Sequence, residues 1–231
     1  MKRRSRSRSQ VGTYLQADSG TDESGPRSSS AVLEVLVVFV LVFVVQGLTA
    51  LVGVMGTFFV LGPPLTANPW TIVTSVYAHD GLGHLVSNGL ALLVFGWPVA
   101  RATTRARFHA FVAVTGAVAG TAQIVLTRLL ASVPLVPVAP SPGVLGASGA
   151  VFALLGYLLA SNRLSSGLGS IVDVPPWLSA LVVVGLAVAV TAATASPGVA
   201  LLAHFTGFVV GAVAGRARVL AVGAGRDSAR V

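Results

Sequence analysis

Four polar side chains lie in stretches of the chain that are otherwise apolar. Ser148 lies in GASGAVFALLGY, and His204 lies in ALLAHFTGFVVGAVAG. His84 and Asn88 lie in GHLVSNGLALLVFG. A serine hydroxyl becomes a nucleophile when a base takes its proton, and a neutral imidazole within hydrogen-bonding distance can be that base. These residue types predict acyl transfer, with Ser148 as the nucleophile and His204 as the general base.

Acyl transfer also needs hydrogen-bond donors for the negatively charged oxygen of its intermediate. His84 and Asn88 are four residues apart, so on a helix they share one face and can supply side-chain N–H groups. The backbone N–H of Ser148 falls in the first turn of its predicted helix, where amides have no acceptor within the helix. These groups predict an oxyanion hole formed by His84, Asn88 and Ser148.

Each of these residues also has an interpretation without catalysis. A serine in a membrane helix is commonly a packing residue or bonds to the backbone of its own helix. His204 alone could be a packed or proton-carrying histidine, and His84 with Asn88 could be a hydrogen-bonded pair between helices. His79 and Asp80 are expected at the outer rim of the second span. Only the complete set, at one depth and with complementary roles, favours catalysis.

The amino-acid composition indicates whether these residues lie in water or in a membrane. Hydrophobic residues make up 54% of the chain and charged residues 10%, whereas soluble domains carry about 25% charged residues. The chain is therefore predicted to be an integral membrane protein. Its net charge of +8 does not indicate nucleic-acid binding, because five of the 15 Lys and Arg residues lie at 2–8 and most others flank apolar runs. The absence of cysteine excludes thiolate metal sites, and no metal or cofactor is expected.

Apolar runs alternate with breaker segments along the chain. A helix that crosses the hydrocarbon core needs roughly 20 apolar residues. The predicted class is all-α integral membrane, with six transmembrane helices in one domain at residues 31–218. Residues 1–30 are predicted to be a disordered, basic cytoplasmic tail, and residues 219–231 a short cytoplasmic tail. The six candidate spans are about 33–60, 82–100, 108–130, 145–161, 178–195 and 199–215.

The arginine distribution predicts the orientation of these spans. No Lys or Arg occurs between residues 28 and 100, whereas Arg101, Arg105 and Arg107 follow the second span. Because positive residues stay in the cytoplasm, both termini are expected inside, in a multi-pass protein of the cell membrane. Spans 2, 4 and 6 are then parallel and begin near the outer face. At ~1.5 Å per residue, Ser148 and His204 lie roughly 8 and 10 Å below that face.

Small residues could bring the fourth and sixth spans together. Gly207 and Gly211 follow His204 at offsets of three and seven, and Gly149 begins a similar stripe in the fourth span. Such stripes let membrane helices pack backbone to backbone. Contact between the two stripes would bring Ser148 close to His204.

Three motifs occur in order along the chain: HLVSN at 84–88, GASG at 146–149 and AHFTGFVVG at 203–211. In these motifs the chain resembles the rhomboid intramembrane serine proteases, over roughly residues 69–215. The resemblance implies a rhomboid-like bundle and a dyad of Ser148 and His204 without an aspartate. It also implies that His84, Asn88 and the Ser148 amide form the oxyanion hole. Phe152 takes a position where many members have a tyrosine that stacks on the catalytic histidine.

The resemblance also implies a substrate class. It is single-span membrane proteins whose helix unwinds easily, with a small residue before the cut, cleaved near the outer face of the bilayer. Two functions of different classes remain open: an intramembrane serine endopeptidase, and a non-catalytic rhomboid-like protein that binds membrane helices. The presence of both Ser148 and His204 favours the protease. A small transporter or proton channel fits less well, because charged residues are almost absent from the middle of the spans.

Overall fold

The computed structural model describes residues 30–161, 176–195 and 198–221. Nearly all of the predicted N-terminal tail, and most of the predicted C-terminal tail, lie outside these residues. The described part is helical, apart from turns, loops and one antiparallel bridge between Leu61 and Val144. The predicted all-α class is thus confirmed. In chain order the helices are α1 (Ser30–Leu51), α2 (Met55–Phe59), α3 (Thr71–Tyr77), α4 (Leu82–Ala91), α5 (Trp97–Ala100), α6 (Arg105–Ala131), α7 (Ser148–Ser161), α8 (Pro176–Ala193) and α9 (Leu201–Arg216).

Among the described residues, three helical segments are long and apolar enough to cross a membrane. They are Ser30–Leu51, Leu82–Ala100 and Arg105–Ala131. The second of these joins α4 to α5 through one π-helical turn at Leu92–Gly96. Three shorter apolar helices follow, namely Ser148–Ser161, Trp177–Ala193 and Leu201–Arg216. Together the six segments are compatible with the predicted six spans.

The first predicted span, about residues 33–60, is wrong as a single helix. Helix α1 ends at Leu51, and α2 is a separate short helix. Gly53 ends α1, because its φ of +74° is a left-handed conformation that favours glycine. The Val54 N–H then bonds to the Thr49 carbonyl at 3.0 Å, and the Gly53 N–H bonds to the Ala50 carbonyl at 3.0 Å. This pair of bonds is the Schellman arrangement that closes many helices.

Helices α7 and α9 form the closest contact in the bundle. A Cβ atom at Gly207 would overlap the carbonyl oxygen of Gly149, and one at Gly211 would overlap that of Ala153. In the opposite direction, a Cβ at Gly156 would overlap the Phe208 carbonyl oxygen. The two helices therefore touch through backbone atoms, as small residues permit. Helix α6 packs against both of them.

The remaining long helices surround this pair less tightly. Helix α1 buries Val32, Val35 and Phe39 against the bundle and exposes most of its other apolar side chains. Helix α8 packs mainly against α9, and it exposes Leu181 and Val188. Exposed apolar surface of this extent is expected where lipid is the solvent.

Charged groups connect the first turns of α1 and α6. The Glu34 carboxylate forms an ion pair with Arg105 and a 2.8 Å contact with Nε2 of His109. The start of α1 therefore lies at the same end of the bundle as the arginine-rich turn before α6. This agrees with the predicted reversal of direction between the first and second spans.

Candidate active site

Ser148 is the first residue of α7, and the loop before it is held at two points. Leu61 and Val144 exchange backbone hydrogen bonds of 2.9 and 2.8 Å, and the Gly146 N–H donates to the Ser75 carbonyl at 2.8 Å. Gly146 has a φ of +131°, a conformation that side chains rarely adopt. The loop therefore delivers Ser148 in a fixed position at the start of the helix. The amide of that residue has no acceptor within α7.

His84 contacts the loop that precedes Ser148. A Cβ atom at Gly146 would lie 2.6 Å from Cε1 and 2.9 Å from Nε2 of the imidazole, so only glycine leaves room for the ring. The Asp80 N–H donates to Nδ1 of His84 at 3.2 Å. Because Nδ1 accepts a hydrogen bond, a neutral His84 ring carries its proton on Nε2. The donor edge of the ring therefore faces the segment that carries Ser148.

Asn88 lies one turn after His84 and is buried. Its Nδ2 donates to the His84 carbonyl at 3.1 Å. An amide nitrogen has two protons, so one donor remains after this bond is made. Asn88 thus both supports its own helix and keeps an N–H group for another acceptor.

His204 is buried in the first turn of α9. The Phe152 ring stacks on its imidazole, with a centroid separation of 4.1 Å and an interplanar angle of 15°. The Nδ1 atom of His204 lies 3.2 Å from the Thr194 hydroxyl. The ring is therefore fixed on one face by an aromatic contact and on one edge by a polar contact.

One cavity of about 800 Å³ brings these side chains together. The Ser148 hydroxyl is half-buried, and within the described ranges it forms no hydrogen bond with the His204 ring. Such bonds are often loose in the absence of substrate and tighten when substrate binds. The lining includes His84, Asn88, Ser148, Phe152, Thr194 and His204.

A family model described as the Rhomboid domain matches residues 66–220. The chain belongs to the rhomboid family. The matched region includes every residue that lines the cavity except Met55 and Val60. No curated protein sequence matches the chain. The rhomboid family consists mainly of intramembrane serine proteases, and this chain is a rhomboid-family intramembrane protein.

His79 of this rhomboid lies just before the start of α4, and its side chain is buried. Its side chain is 2% exposed and lies between the rings of Phe39, at 4.7 Å, and His84, at 5.3 Å. Neither ring nitrogen of His79 has a partner in the described part of the chain. Burial, and to a lesser extent the nearby His84, lowers the pKa of His79 to about 4. His79 therefore acts as a neutral packing surface behind His84.

Two glutamines that look isolated in the sequence form hydrogen bonds with backbone groups near the cavity, those of His79 and Ala203. Gln46 of α1 accepts a hydrogen bond from the His79 N–H at 2.9 Å and donates to the His79 carbonyl at 3.3 Å. Gln123 of α6 accepts from the Ala203 N–H at 3.1 Å, next to His204. The only sequence signal for these residues is a polar side chain in an apolar span.

Proposed function

We propose that this rhomboid is an active serine endopeptidase that cleaves transmembrane proteins. What supports the proposal is the convergence of three helix starts on one cavity. Helix α7 contributes a serine, α9 contributes an imidazole and α4 contributes two N–H donors. A packing role would explain each residue separately, but it gives no reason for all four to line one cavity.

In the proposed reaction, Ser148 Oγ attacks the carbonyl carbon of the peptide bond, and Nε2 of His204 takes the hydroxyl proton. The tetrahedral intermediate carries its negative charge on oxygen. The Ser148 N–H, His84 Nε2–H and the free Asn88 N–H donate to that oxygen. The intermediate collapses, the C–N bond breaks, and His204 gives its proton to the departing amine. Water then attacks the acyl-enzyme with His204 again as the base, which releases the acid product and restores Ser148.

The proposed mechanism uses a dyad of Ser148 and His204 and not a triad. Among the residues that the structure describes, no carboxylate forms a hydrogen bond with His204. The face of the imidazole is instead supported by Phe152. A neutral environment of this kind avoids the cost of burying an additional charge in an apolar site.

The proposed substrates are single-span membrane proteins with an easily unwound helix and a small residue before the cut. A peptide bond within a helix is enclosed by its own backbone hydrogen bonds and side chains. It can reach Ser148 only after that helix opens. Because the cavity lies among membrane-embedded helices, a substrate segment that already lies in the bilayer has the shortest path to it.

Purified wild type, Ser148→Ala and His204→Ala, incubated with a single-span substrate in detergent, test the proposal. We expect cleavage by the wild type alone, and we expect covalent labelling by a fluorophosphonate that both substitutions abolish. Ser87→Ala is the matched control, because Ser87 lines the same cavity but its hydroxyl donates to the His84 carbonyl at 3.0 Å. This control should still be labelled.

A folded wild-type protein that neither cleaves nor reacts would contradict the proposal. Binding of the same substrate without cleavage would instead support the alternative of a non-catalytic protein that recognises membrane helices. Labelling that survives Ser148→Ala but is lost in Ser87→Ala would show that the wrong serine has been assigned.

A further inference from the structure

Thr194 follows the last residue of α8 and contacts the site from outside the three sequence motifs. Its hydroxyl oxygen lies 3.2 Å from Nδ1 of His204, and the residue lines the same cavity as Ser148. The nitrogen that Thr194 contacts is the one that the proposed reaction does not use. The direction of this hydrogen bond therefore determines which ring nitrogen of His204 can accept a proton.

The hydroxyl proton of Thr194 already has acceptors within its own helix. Thr194 Oγ1 lies 3.2 Å from the Val190 carbonyl oxygen and 3.0 Å from the Thr191 carbonyl oxygen. Both carbonyls belong to the last turn of α8, and the Thr191 carbonyl also accepts the Thr194 N–H at 3.3 Å. A hydroxyl has one proton and two lone pairs. When the proton is donated to either carbonyl, the lone pairs remain available to accept the Nδ1–H of His204.

We propose that Thr194 is a positioning residue that holds neutral His204 in the tautomer protonated at Nδ1. The lone pair on Nε2 is then free to take the proton of Ser148. This inference rests on the proposed serine endopeptidase function and adds a third member to the dyad. Thr194 does for His204 what a carboxylate does in a catalytic triad, without placing a charge near the site.

Phe152 cannot set the tautomer by itself. Aromatic stacking fixes the plane of the imidazole. A rotation of about 180° around the Cβ–Cγ bond returns the ring to the same plane, so the rotated ring would still stack. It would exchange the positions of nitrogen and carbon atoms at the ring edge. The hydrogen bond to Thr194 makes the two orientations different in energy, because only one of them places Nδ1 against the hydroxyl.

The test compares Thr194→Val, Thr194→Ser and the control Thr191→Val in detergent-purified full-length protein. Valine keeps the shape of threonine but has no hydroxyl, whereas serine keeps the hydroxyl. Thr191 lies three residues earlier on α8, and its hydroxyl oxygen is buried without a partner within the described residues. We expect Thr194→Val to lower kcat by roughly five- to tenfold, the effect of one neutral hydrogen bond. Its KM should stay near the wild-type value, and Thr194→Ser and Thr191→Val should both retain kcat.

A spectroscopic measurement separates this inference from the proposed function. In ¹⁵N-histidine-labelled protein at pH 8, we expect Nδ1 of His204 to resonate as a protonated nitrogen and Nε2 as an unprotonated one. Thr194→Val should produce a mixture of both tautomers, whereas Thr191→Val should not. A wild type without cleavage would contradict the endopeptidase function, but this spectrum would still decide the role of Thr194. A wild-type ring protonated at Nε2, or a Thr194→Val protein with unchanged spectrum and kcat, would overturn the inference.

Discussion

At the scale of single residues, His84 illustrates how a neighbouring backbone group assigns a chemical role. Imidazole can donate or accept at either nitrogen. The Asp80 N–H occupies Nδ1, and Gly146 leaves room for the opposite edge of the ring. The result is a donor directed at the loop before Ser148. A substitution of Gly146 would therefore affect His84 as well as the loop conformation.

Asn88→Ala tests whether the second side chain of α4 stabilises an oxyanion. The loss of one such donor can lower turnover on the order of 10²–10³-fold. We expect the decrease to lie at or below that range, because His84 and the Ser148 amide remain. Substrate affinity should change little, since the oxyanion forms only beyond the ground state. Single-turnover cleavage measured beside a melting curve separates a catalytic loss from a loss of folded protein.

Ser87→Ala is the matched control for Asn88→Ala. Ser87 and Asn88 both donate to the His84 carbonyl, at 3.0 and 3.1 Å. Removal of either bond should cost about 1 kcal/mol of stability. Only Asn88→Ala should also lower the rate per folded molecule. Equal turnover in the two variants would leave Asn88 with a structural role alone.

The candidate residues that the sequence could indicate are those whose types are rare in a membrane span. Ser148, His204, His84 and Asn88 stand out because polar groups in apolar surroundings need a reason. Thr194 could not be found in this way, because threonine is common in membrane helices and often bonds to its own backbone. Its second contact, with His204, depends on how α8 meets α9, which no local pattern encodes.

At the scale of helices, hydrophobic runs predict where helices occur better than they predict where helices end. The run at residues 33–60 is apolar throughout, so composition alone does not reveal the break at Gly53. The same limit applies to the π-helical turn at Leu92–Gly96. The stripes of small residues were more informative, because a glycine in a helix interior is costly unless another backbone comes close.

Gly211→Ala tests the contact between α7 and α9. Its Cβ would overlap the Ala153 carbonyl oxygen, so the helices must separate. We expect a loss of about 1–3 kcal/mol in stability, as for other overpacked cores. We also expect a loss of cleavage. Gly185→Ala in α8 is the control, because nothing lies within 4 Å of its added Cβ. That control should be unchanged or up to about 1 kcal/mol more stable. Equal melting temperatures for the two variants would contradict the contact.

His79, in the connection between α3 and α4, should make the stability of the fold decrease in acid. His79 has a pKa of about 4 in the folded protein and about 6.5 when unfolded. Below pH 6.5 the unfolded chain binds a proton that the folded chain does not, so stability decreases as the pH falls. The decrease should reach about 3 kcal/mol near pH 4.

His79→Phe should remove this part of the acid sensitivity while retaining the aromatic contacts with Phe39 and His84. The measurement is the melting temperature of each protein in detergent between pH 8 and pH 4. The wild-type curve should fall more steeply with acid than the variant curve. Parallel curves would show that His79 is not held neutral by burial.

At the scale of the whole molecule, the predicted six spans would return the chain to the side on which it began. We propose that both termini are cytoplasmic, since Arg101, Arg105 and Arg107 follow the second span and positive residues stay inside. The ion pair between Glu34 and Arg105 places the start of α1 at this same end.

Single cysteines can test this orientation, because the chain has none of its own. In intact cells a membrane-impermeant maleimide should label Thr66→Cys, in the exposed segment between α2 and α3. It should not label Ser5→Cys or Ser228→Cys until the cells are permeabilised. Labelling of Ser5→Cys from outside would reverse the topology. Labelling of only one terminus would indicate an odd number of spans.

The length of α7 has a consequence for hydration. Its 14 residues extend roughly 21 Å at ~1.5 Å per residue, whereas the hydrocarbon core is about 30 Å thick. The described part of the helix is therefore about 9 Å shorter than the slab. Free amides at its first turn are too costly to leave against acyl chains, so a helix that begins below the outer face, as predicted for α7, favours a hydrated column above Ser148. In the proposed protease, such a column would supply the water that hydrolyses the acyl-enzyme in a medium that otherwise excludes it.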